Sequence, residues 1–114
     1  MSIIKKIENT PVVVISKKNC KNCTKLKALF DEMQIKHTVI VLEDYMEMYD
    51  DDDFIFDEIE ELKSRWSITS YPMPFVKGSF LGHYNEIMRL VTFNQFENIL
   101  KQKNIEFKSV DNDF

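Results

Sequence analysis

Residues 11–23 read PVVVISKKNCKNC, and this stretch decides the fold. The run Val12–Ile15 is apolar and β-branched throughout, which predicts a strand buried on both faces in the middle of a helix-covered sheet. After a polar loop, the spacing of apolar residues predicts a helix from Cys23 to about Gln34. The apolar positions of this helix are Leu26, Leu29, Phe30 and Met33. Cys20 and Cys23 therefore lie where a buried strand passes into a helix.

This cysteine pair predicts redox chemistry. Cysteines separated by two residues can close a disulfide across the first turn of a helix, and Cys20 then lies at the helix N-terminus. Unpaired N–H groups, the helix dipole and nearby cations all stabilise a thiolate there and lower the pKa of its thiol. We therefore interpret Cys20 as the nucleophile and a good leaving group, and Cys23 as the resolving thiol. The nearby cations are Lys17, Lys18, Lys21, Lys25 and Lys27.

Two other interpretations of the pair stay open. A zinc site needs four ligands, and the chain adds only His37 and His83 to its two cysteines, neither at metal-finger spacing. A pair of inert, buried cysteines is disfavoured by the Lys and Asn residues around it. His37 is most simply the polar first residue of a strand.

The rest of the chain alternates predicted helices and strands. The other predicted helices cover residues 3–7, 55–66 and 85–103. The other predicted strands cover residues 35–42, 71–76 and 80–81, the last two joined by a hairpin turn. A tail, residues 104–114, is expected to fray or pack loosely. The order αβαβαββα describes an α/β fold with a four-stranded mixed sheet, helices on both faces and a right-handed parallel unit in its first half.

The length of 114 residues predicts a single domain over residues 1–114. With 44% apolar and 30% charged residues, the chain can bury a core without a disulfide or metal staple. No run approaches 18 consecutive apolar residues, which argues against a membrane-spanning helix, and the first residues do not resemble a secretory signal. We therefore expect a cytoplasmic protein, where a close cysteine pair is more often catalytic or metal-binding than structural.

The net charge of −4 conceals an acidic segment. Residues 43–61 carry eleven acidic side chains and no Lys or Arg, so the rest of the chain is net basic. Residues 43–53 show no clear period and are predicted to form a solvated loop, with Asp50–Asp53 at the start of the helix that follows. A divalent-cation site is the alternative for these aspartates, but no glycine supplies the turn that a calcium loop needs.

Three separated motifs resemble the glutaredoxin family of the thioredoxin fold. They are Ser16-Lys17 followed by Cys20-Lys21-Asn22-Cys23, then Ile68-Thr69-Ser70-Tyr71-Pro72-Met73, and finally Leu81-Gly82-His83-Tyr84-Asn85-Glu86. The second motif is similar to the family's cis-proline segment and the third to its Ile-Gly-Gly-Tyr-Asp-Asp. The resemblance covers about residues 10–103 and implies a thioredoxin-like fold. It leaves the acidic insertion 43–53 and the tail without a counterpart.

The resemblance also implies a glutathione site around the cysteine pair. Pro72 would be cis, would face the cysteines and would expose the Tyr71 backbone as a short edge for an extended thiol peptide. Lys17 would attract the glycine carboxylate of glutathione, and the start of the last helix would receive its γ-glutamyl end. The glutathione-binding residues implied in this way are Lys17, Tyr71, Pro72, Gly82, His83, Tyr84, Asn85 and Glu86.

Several residues depart from the family's pattern. Lys21-Asn22 replaces the Pro-Tyr of many members, which removes an aromatic wall and adds a charge. His83 replaces the second glycine and Asn85 the first aspartate of the third motif, and both changes bear on the glutathione site. Pro74 is unusual, because proline interrupts a strand ladder away from its start or edge. The Cys-Gly-Phe-Ser motif of iron–sulfur relatives is absent, so we expect no cluster and no other metal.

The predicted function is that of a glutathione-dependent thiol–disulfide oxidoreductase, with glutathione and protein or small-molecule disulfides as partners. An alternative is a thioredoxin-like donor reduced by a flavin reductase, with ribonucleotide reductase as a candidate partner. A third hypothesis is a non-enzymatic thioredoxin-fold binding module that uses the Tyr71–Pro72 edge or the acidic loop. We expect a monomer, because the exposed edge of the fourth strand is too short to argue for a dimer. We expect no nucleic acid or membrane as partner.

Overall fold

In the computed structural model, which describes residues 2–109, Val12–Ser16 forms the strand β1, and all five of its residues are buried. β1 pairs in parallel with β2 (Thr38–Val41) and antiparallel with β3 (Met73–Val76). β3 also pairs antiparallel with β4 (Ser79–Phe80), which gives the strand order β2-β1-β3-β4. The prediction of a buried central strand in a four-stranded mixed sheet is therefore confirmed.

Successive residues of β1 point to opposite sides of the sheet, so its buried side chains lie on both faces. Helices cover both faces. Val13 and Ile15 lie in one core cluster with side chains of α1 (Ile3–Asn9) and α4 (Asp52–Trp66). Val12 and Val14 lie in a second cluster with side chains of α2 (Lys21–Glu32), α5 (Tyr84–Thr92) and α6 (Phe96–Gln102). This is the thioredoxin-like architecture that was predicted. Within residues 2–109, none of the helices combines the length and the apolar character needed to cross a membrane.

The prediction of a solvated loop over residues 43–53 is wrong. Leu42–Tyr49 forms a helix, α3, in which Tyr45 is buried while Leu42 and Met46 pack against the first core cluster. These positions have helical spacing, but assigning Leu42 to the preceding strand hides the pattern. α3 ends at Asp50, whose φ of 51° is left-handed, and α4 begins after Asp51, whose side chain accepts the Phe54 N–H at 3.4 Å. The aspartate run therefore caps a helix, as predicted.

Two helices, α5 and α6, replace the single final helix that was predicted over residues 85–103. Asn94 lies between them with a left-handed φ of 58°, a conformation that Asn tolerates better than most residues. The Gln95 N–H donates to the Leu90 carbonyl at 2.8 Å and closes the end of α5. The apolar pattern continues through both helices, so periodicity alone does not reveal the break.

The first part of the tail packs on the core instead of fraying. Ile105 is 8% exposed within the second core cluster, and Phe107 packs against the same cluster. The Lys108 N–H donates to the Met33 carbonyl at 2.6 Å. The prediction of loose packing is wrong for residues 104–109, because two apolar side chains there cover the end of the core. Residues 110–114 of the predicted tail lie outside the described residues.

Both prolines of the third strand region have a clear place. The Tyr71–Pro72 peptide bond is cis, as predicted. Pro74 lies opposite Val14, and its carbonyl accepts the Leu81 N–H at 2.8 Å. The missing N–H of Pro74 therefore faces β4, because the N–H and C=O of one residue point to the same side of an antiparallel strand. β4 ends at Phe80. The next position, Leu81, lies opposite Pro74, which has no N–H to donate to it.

Glu58 connects α1 to α4. Its side chain is buried and accepts the N–H groups of Ile3 and Ile4 at 2.8 and 3.2 Å, together with the Ser2 hydroxyl. These backbone donors belong to the first turn of α1, where no partner exists within the helix. A carboxylate from the neighbouring helix thus completes the N-terminus of α1.

Candidate active site

Cys20 and Cys23 lie at the start of α2, directly after the loop that leaves β1. Cys20 is the N-cap residue, its sulfur is bonded to that of Cys23, and the two Cα atoms are 5.2 Å apart. The Cys23 N–H donates to Cys20 Sγ at 3.2 Å, a contact that also stabilises a thiolate after reduction. Cys20 is partly exposed, whereas Cys23 is 1% exposed. Of this pair, Cys20 alone offers its sulfur to a partner from solvent.

The register of the sheet places Pro72 beside the loop that leads to Cys20. Ile15 lies opposite Met73, so the next antiparallel position brings Pro72 level with Ser16 at the end of β1. The cis bond before Pro72 and the loop of residues 17–19 therefore lie at the same edge of the sheet. This is where the sequence analysis expected an exposed Tyr71 backbone.

The Tyr71 ring brings two lysines together. Lys17 Nζ lies 5.2 Å and Lys63 Nζ lies 5.7 Å from the centre of this ring, within the range of cation–π contacts. Burial raises the pKa of the Tyr71 hydroxyl, and the negative charges of Glu43 and Glu60 add to the effect. The ring therefore stays neutral near pH 7 and holds two ammonium groups beside the Tyr71–Pro72 edge.

Lys18 is engaged with the first turn of α3. Its Nζ lies 3.2 Å from Asp44 Oδ1, and its backbone N–H donates to Glu43 Oε1 at 3.0 Å. The Asp44 carboxylate raises the pKa of the Lys18 ammonium through a hydrogen bond and its charge, and Glu47 and Glu43 contribute. The acidic segment therefore contacts the loop before Cys20, and Lys18 is less available to an external anion than the other lysines.

His83 bridges the cis-proline segment and the start of α5. Its Nε2 accepts the Thr69 backbone N–H at 3.1 Å, so Nε2 carries no proton. Nδ1 then holds the ring proton and donates to Glu86 Oε1 at 3.0 Å, while the His83 backbone N–H donates to the same oxygen at 2.7 Å. These bonds, the backbone one first, lower the pKa of the Glu86 carboxyl. Glu86 Oε1 is thus committed to capping α5.

The remaining residues of the third motif shape the N-terminus of α5. Tyr84 and Asn85 begin the helix, where backbone N–H groups have no partner within the helix. Gly82 has a φ of +141°, which side chains rarely allow, and a Cβ there would lie 3.4 Å from Glu86 Oε1. Glycine at this position therefore lets the chain turn closely against the capping carboxylate.

Some of the predicted site residues line one of two open clefts, and the others line neither. One, of about 640 Å³, is lined by Gly82, His83 and Glu86 together with aromatic residues, Trp66, Phe80 and Phe93 among them. The other, of about 620 Å³, lies beside Cys20 and contains Lys17. Neither cleft includes Tyr71, Pro72, Tyr84 or Asn85. The structure therefore spreads the predicted residues along an edge and does not gather them in one pocket.

Sequence reasoning missed three residues of this site: Lys63, Glu43 and Asp44. Each lies far along the chain from Lys17 or Lys18, and no local pattern signals the contact. The helical period of α3 is the one signal that was available, since it would have placed Glu43 and Asp44 in a first turn.

As for metals, no group of three or more His, Cys, Asp or Glu side chains suited to hold an ion occurs among residues 2–109.

Comparison with known proteins gives a family match. The family model described as Glutaredoxin matches residues 12–81. A search of curated protein sequences finds no match.

Solved structures share the fold. Oxidized glutaredoxin 2 from Chlamydomonas reinhardtii is 28% identical with a TM-score of 0.67, and the match covers 90% of each chain. The buckwheat glutaredoxin–glutathione complex is 21% identical with a TM-score of 0.70, covering 89% of this chain and 86% of the other. A dithiolic glutaredoxin from Trypanosoma brucei brucei is 21% identical with a TM-score of 0.67, covering 88% of this chain and 96% of the other.

Proposed function

Since this chain belongs to the glutaredoxin family of thiol–disulfide oxidoreductases, we propose that it reduces disulfides through Cys20 and Cys23 with glutathione as the reductant. The observation that carries the proposal is the pairing of a partly exposed Cys20 at the N-cap of α2 with a buried Cys23. The Cys20 sulfur can contact a substrate, and the Cys23 sulfur lies one helical turn further into α2. Such an arrangement suits attack followed by resolution.

The exchange proceeds in two steps. The Cys20 thiolate attacks a sulfur of the substrate disulfide, forms a mixed disulfide and releases the other substrate sulfur as a thiolate. Cys23 then attacks Cys20 Sγ, releases the second substrate thiol and leaves the Cys20–Cys23 disulfide. Two electrons and two protons pass from the protein to the substrate. Two glutathione molecules return them and leave as glutathione disulfide.

The glutathione edge, as we define it, runs from Lys17 and Lys63 past the Tyr71–Pro72 backbone to the first turn of α5. Two ammonium groups held on the Tyr71 ring suit the glycine carboxylate, Lys17 more than Lys63, whose Nζ also lies 3.7 Å from Glu60 Oε2. The free N–H groups of Tyr84 and Asn85 suit the γ-glutamyl carboxylate. The sequence analysis did not include Lys63 in this site.

A second candidate reductant is favoured by the bonds of His83. Because His83 holds Glu86 Oε1 in the cap of α5, the γ-glutamyl end of glutathione has fewer partners there. If this protein is instead a thioredoxin-like donor that is itself reduced by a flavin reductase, it does not need this end of the glutathione edge. Ribonucleotide reductase is a candidate protein substrate in that case. For either reductant, we propose a monomer that works in the cytoplasm.

A paired assay separates the two reductants. The purified protein is tested for glutathione-driven reduction of a small mixed disulfide and for insulin reduction driven by thioredoxin reductase. Activity in the first assay, lost in Cys20→Ser and retained in Cys23→Ser, is the expected result, because glutathione can itself resolve the mixed disulfide. Activity in the second assay alone would overturn the proposal of glutathione as reductant.

The glutathione edge itself is tested with Lys63→Gln. The expected result is a severalfold rise in KM for the glutathione mixed disulfide with little change in kcat, because a cation away from the reacting sulfurs contributes uniform binding. Lys101→Gln, on α6, is the control with the same change in charge. Equal KM values for the two variants would remove Lys63 from the site.

A further inference from the structure

A second cleft opens beside Cys20, next to the Lys17 end of the glutathione edge. We call it the lysine cleft. Its volume is about 620 Å³, and its charged side chains surround Cys20 at the junction of α2 and α3. They are Lys17, Lys18, Lys21, Lys27 and Asp44. Of the residues assigned to the glutathione edge, the lysine cleft shares only Lys17, so most of its lining is distinct from that edge.

The charges of the lysine cleft are unbalanced. Lys18 is paired with Asp44 at 3.2 Å, and that pair is neutral as a unit. Lys21 and Lys27 form no ion pair among residues 2–109, and Lys17 contacts the Tyr71 ring. By contrast, Lys63 and Arg65 on α4 are each paired with a glutamate of their own helix. The lining of the cleft therefore carries net positive charge on the α2 side of Cys20, while Glu43 and Glu47, which act on Lys18, lie outside the lining on the α3 side.

The size and shape of the cleft suit a short stretch of chain. Its volume falls within the roughly 300–1,000 Å³ of sites that hold small ligands, and it is open along one side. Electrostatic complementarity then selects carboxylate-bearing side chains, steers their approach and suppresses basic partners. An extended segment that places a disulfide at Cys20 would lay its neighbouring residues along this cleft.

We propose that the lysine cleft is the docking site for an acidic segment adjoining the disulfide of a protein substrate. The inference rests on thiol–disulfide exchange at Cys20 but not on glutathione as reductant. In the step concerned, Cys20 thiolate forms a bond to one substrate sulfur while the substrate S–S bond breaks. Cys23 then displaces the reduced substrate, which takes the two electrons and two protons of the protein dithiol.

The first experiment measures single-turnover reduction of peptide disulfides by the pre-reduced protein, with no glutathione present. Three peptides share one disulfide ring and differ in their flanks, which are rich in Glu, Ser or Lys. We expect the acidic peptide to react about tenfold faster than the neutral one at low salt, and the basic one to react slowest. The difference should shrink in 0.5 M salt, because exposed charges are then screened.

Substitutions locate the effect. Lys21→Gln combined with Lys27→Gln should bring the ratio of the acidic-peptide rate to the neutral-peptide rate close to one. The ratio is taken within each variant, because both lysines also stabilise the Cys20 thiolate and their loss changes the two rates alike. Lys25→Gln is the matched control, because Lys25 is exposed on the same helix but does not line the cleft. Equal rates for the three peptides, or an equal loss in Lys25→Gln, would overturn the docking site. In neither case would glutathione-driven activity be in question.

A binding experiment needs no exchange at all. A cysteine-free acidic peptide is titrated into the oxidised protein and followed by amide NMR shifts. We expect perturbations at Lys18, Lys21, Thr24 and Lys27, which the Lys21 and Lys27 double variant weakens. Perturbations confined to residues 82–86, or none at millimolar peptide, would show that the lysine cleft does not take this partner.

Discussion

Glu43 fixes the backbone two residues before the reactive sulfur. Its carboxylate accepts the Lys18 N–H at 3.0 Å, and this bond joins the loop of residues 17–19 to α3. Glu43→Ala removes the acceptor, whereas Glu43→Gln keeps an acceptor and removes only the charge. We expect Cys20 of reduced Glu43→Ala to be alkylated about threefold more slowly at pH 7 than Cys20 of Glu43→Gln. One exposed hydrogen bond is enough for an effect of this size.

The physical reason is the coupling between the loop and the N-cap position. If the loop shifts, Cys20 Sγ loses its alignment with the Cys23 N–H, and the thiolate loses a donor. Iodoacetamide labelling followed by mass spectrometry measures the rate at Cys20. Glu47→Ala serves as the control, because Glu47 acts on Lys18 through charge alone. Identical rates in Glu43→Ala and Glu43→Gln would show that the bond does not position Cys20.

At the scale of residues, sequence reasoning works where the chemistry is local. The spacing of Cys20 and Cys23, the strand before them and the helix after them all lie within one short stretch, so the pair could be placed from the sequence. Lys63 could not, because it reaches Tyr71 only after α4 packs beside the sheet. His83 stays a predicted glutathione-binding residue, and its ring contact with Thr69, fourteen residues away in the sequence, could not be predicted.

The N-terminus of α5 carries a pH-dependent contribution to stability. Hydrogen bonds from His83 lower the pKa of Glu86 in the folded state below its unfolded value of about 4.3. A lowered carboxyl pKa stabilises the fold above the unfolded pKa, and the contribution is lost as pH falls through the folded pKa. Glu86→Gln should therefore reduce the free energy of unfolding by about 0.5 kcal/mol at pH 7, since the group is exposed.

The same substitution should have a smaller effect at pH 2.5, because the wild-type carboxyl loses its charge as the pH falls through its folded pKa. Urea unfolding of both proteins at the two pH values measures the difference. Glu8→Gln, on the exposed side of α1, is expected to change stability equally little at both. A loss in Glu86→Gln that stays constant between the two pH values would mean that ionised Glu86 does not stabilise the cap.

A buried cap links α1 to α4, and its loss should be more costly. Glu58→Ala leaves the buried N–H group of Ile3 without an acceptor, and that penalty is about 1–3 kcal/mol. Glu58→Gln retains an oxygen acceptor and should lose less. Urea unfolding measures both variants against Glu61→Ala, whose exposed pair with Arg65 is worth at most about 1 kcal/mol. A Glu58→Ala protein as stable as Glu61→Ala would contradict the capping role.

Among the elements, those with one clear period were predicted and those with a competing signal were not. β1 and α4 follow simple patterns and match the structure closely. α3 was missed because four aspartates dominate the segment, although Leu42, Tyr45 and Met46 have helical spacing. α5 and α6 were merged because the left-handed turn at Asn94 depends on a single residue inside a continuous apolar pattern.

At the scale of the whole molecule, the fold has two cores that share one sheet. α1, α3 and α4 pack on one face, and α2, α5 and α6 pack on the other. The acidic segment lies in α3 and α4 on the first face, whereas the lysines of α2 lie on the second. The loop of residues 17–19, which leads to Cys20, contacts α3 through Lys18, so a substrate approaching Cys20 meets the acidic side chains of α3 on one side and the lysines of α2 on the other.

The second core extends past the region of family resemblance, which gives a test of how the whole chain folds. Ile105 is 8% exposed, and the Lys108 N–H closes on the Met33 carbonyl beside it. Ile105→Ala should lower the free energy of unfolding by about 2–3 kcal/mol, the usual cost of such a truncation in a core. Glu106→Ala, exposed and next in sequence, should change it by less than about 0.5 kcal/mol.

Urea unfolding, monitored by circular dichroism, distinguishes cooperative from separate unfolding of residues 104–109. If residues 104–109 fold cooperatively with the sheet, Ile105→Ala shifts the midpoint and leaves the slope unchanged. If they unfold separately, as the sequence pattern suggested for the tail, the midpoint of Ile105→Ala matches that of Glu106→Ala. The first result is expected, because the Ile105 side chain packs in the same cluster as Val12 and Val14 of the central strand.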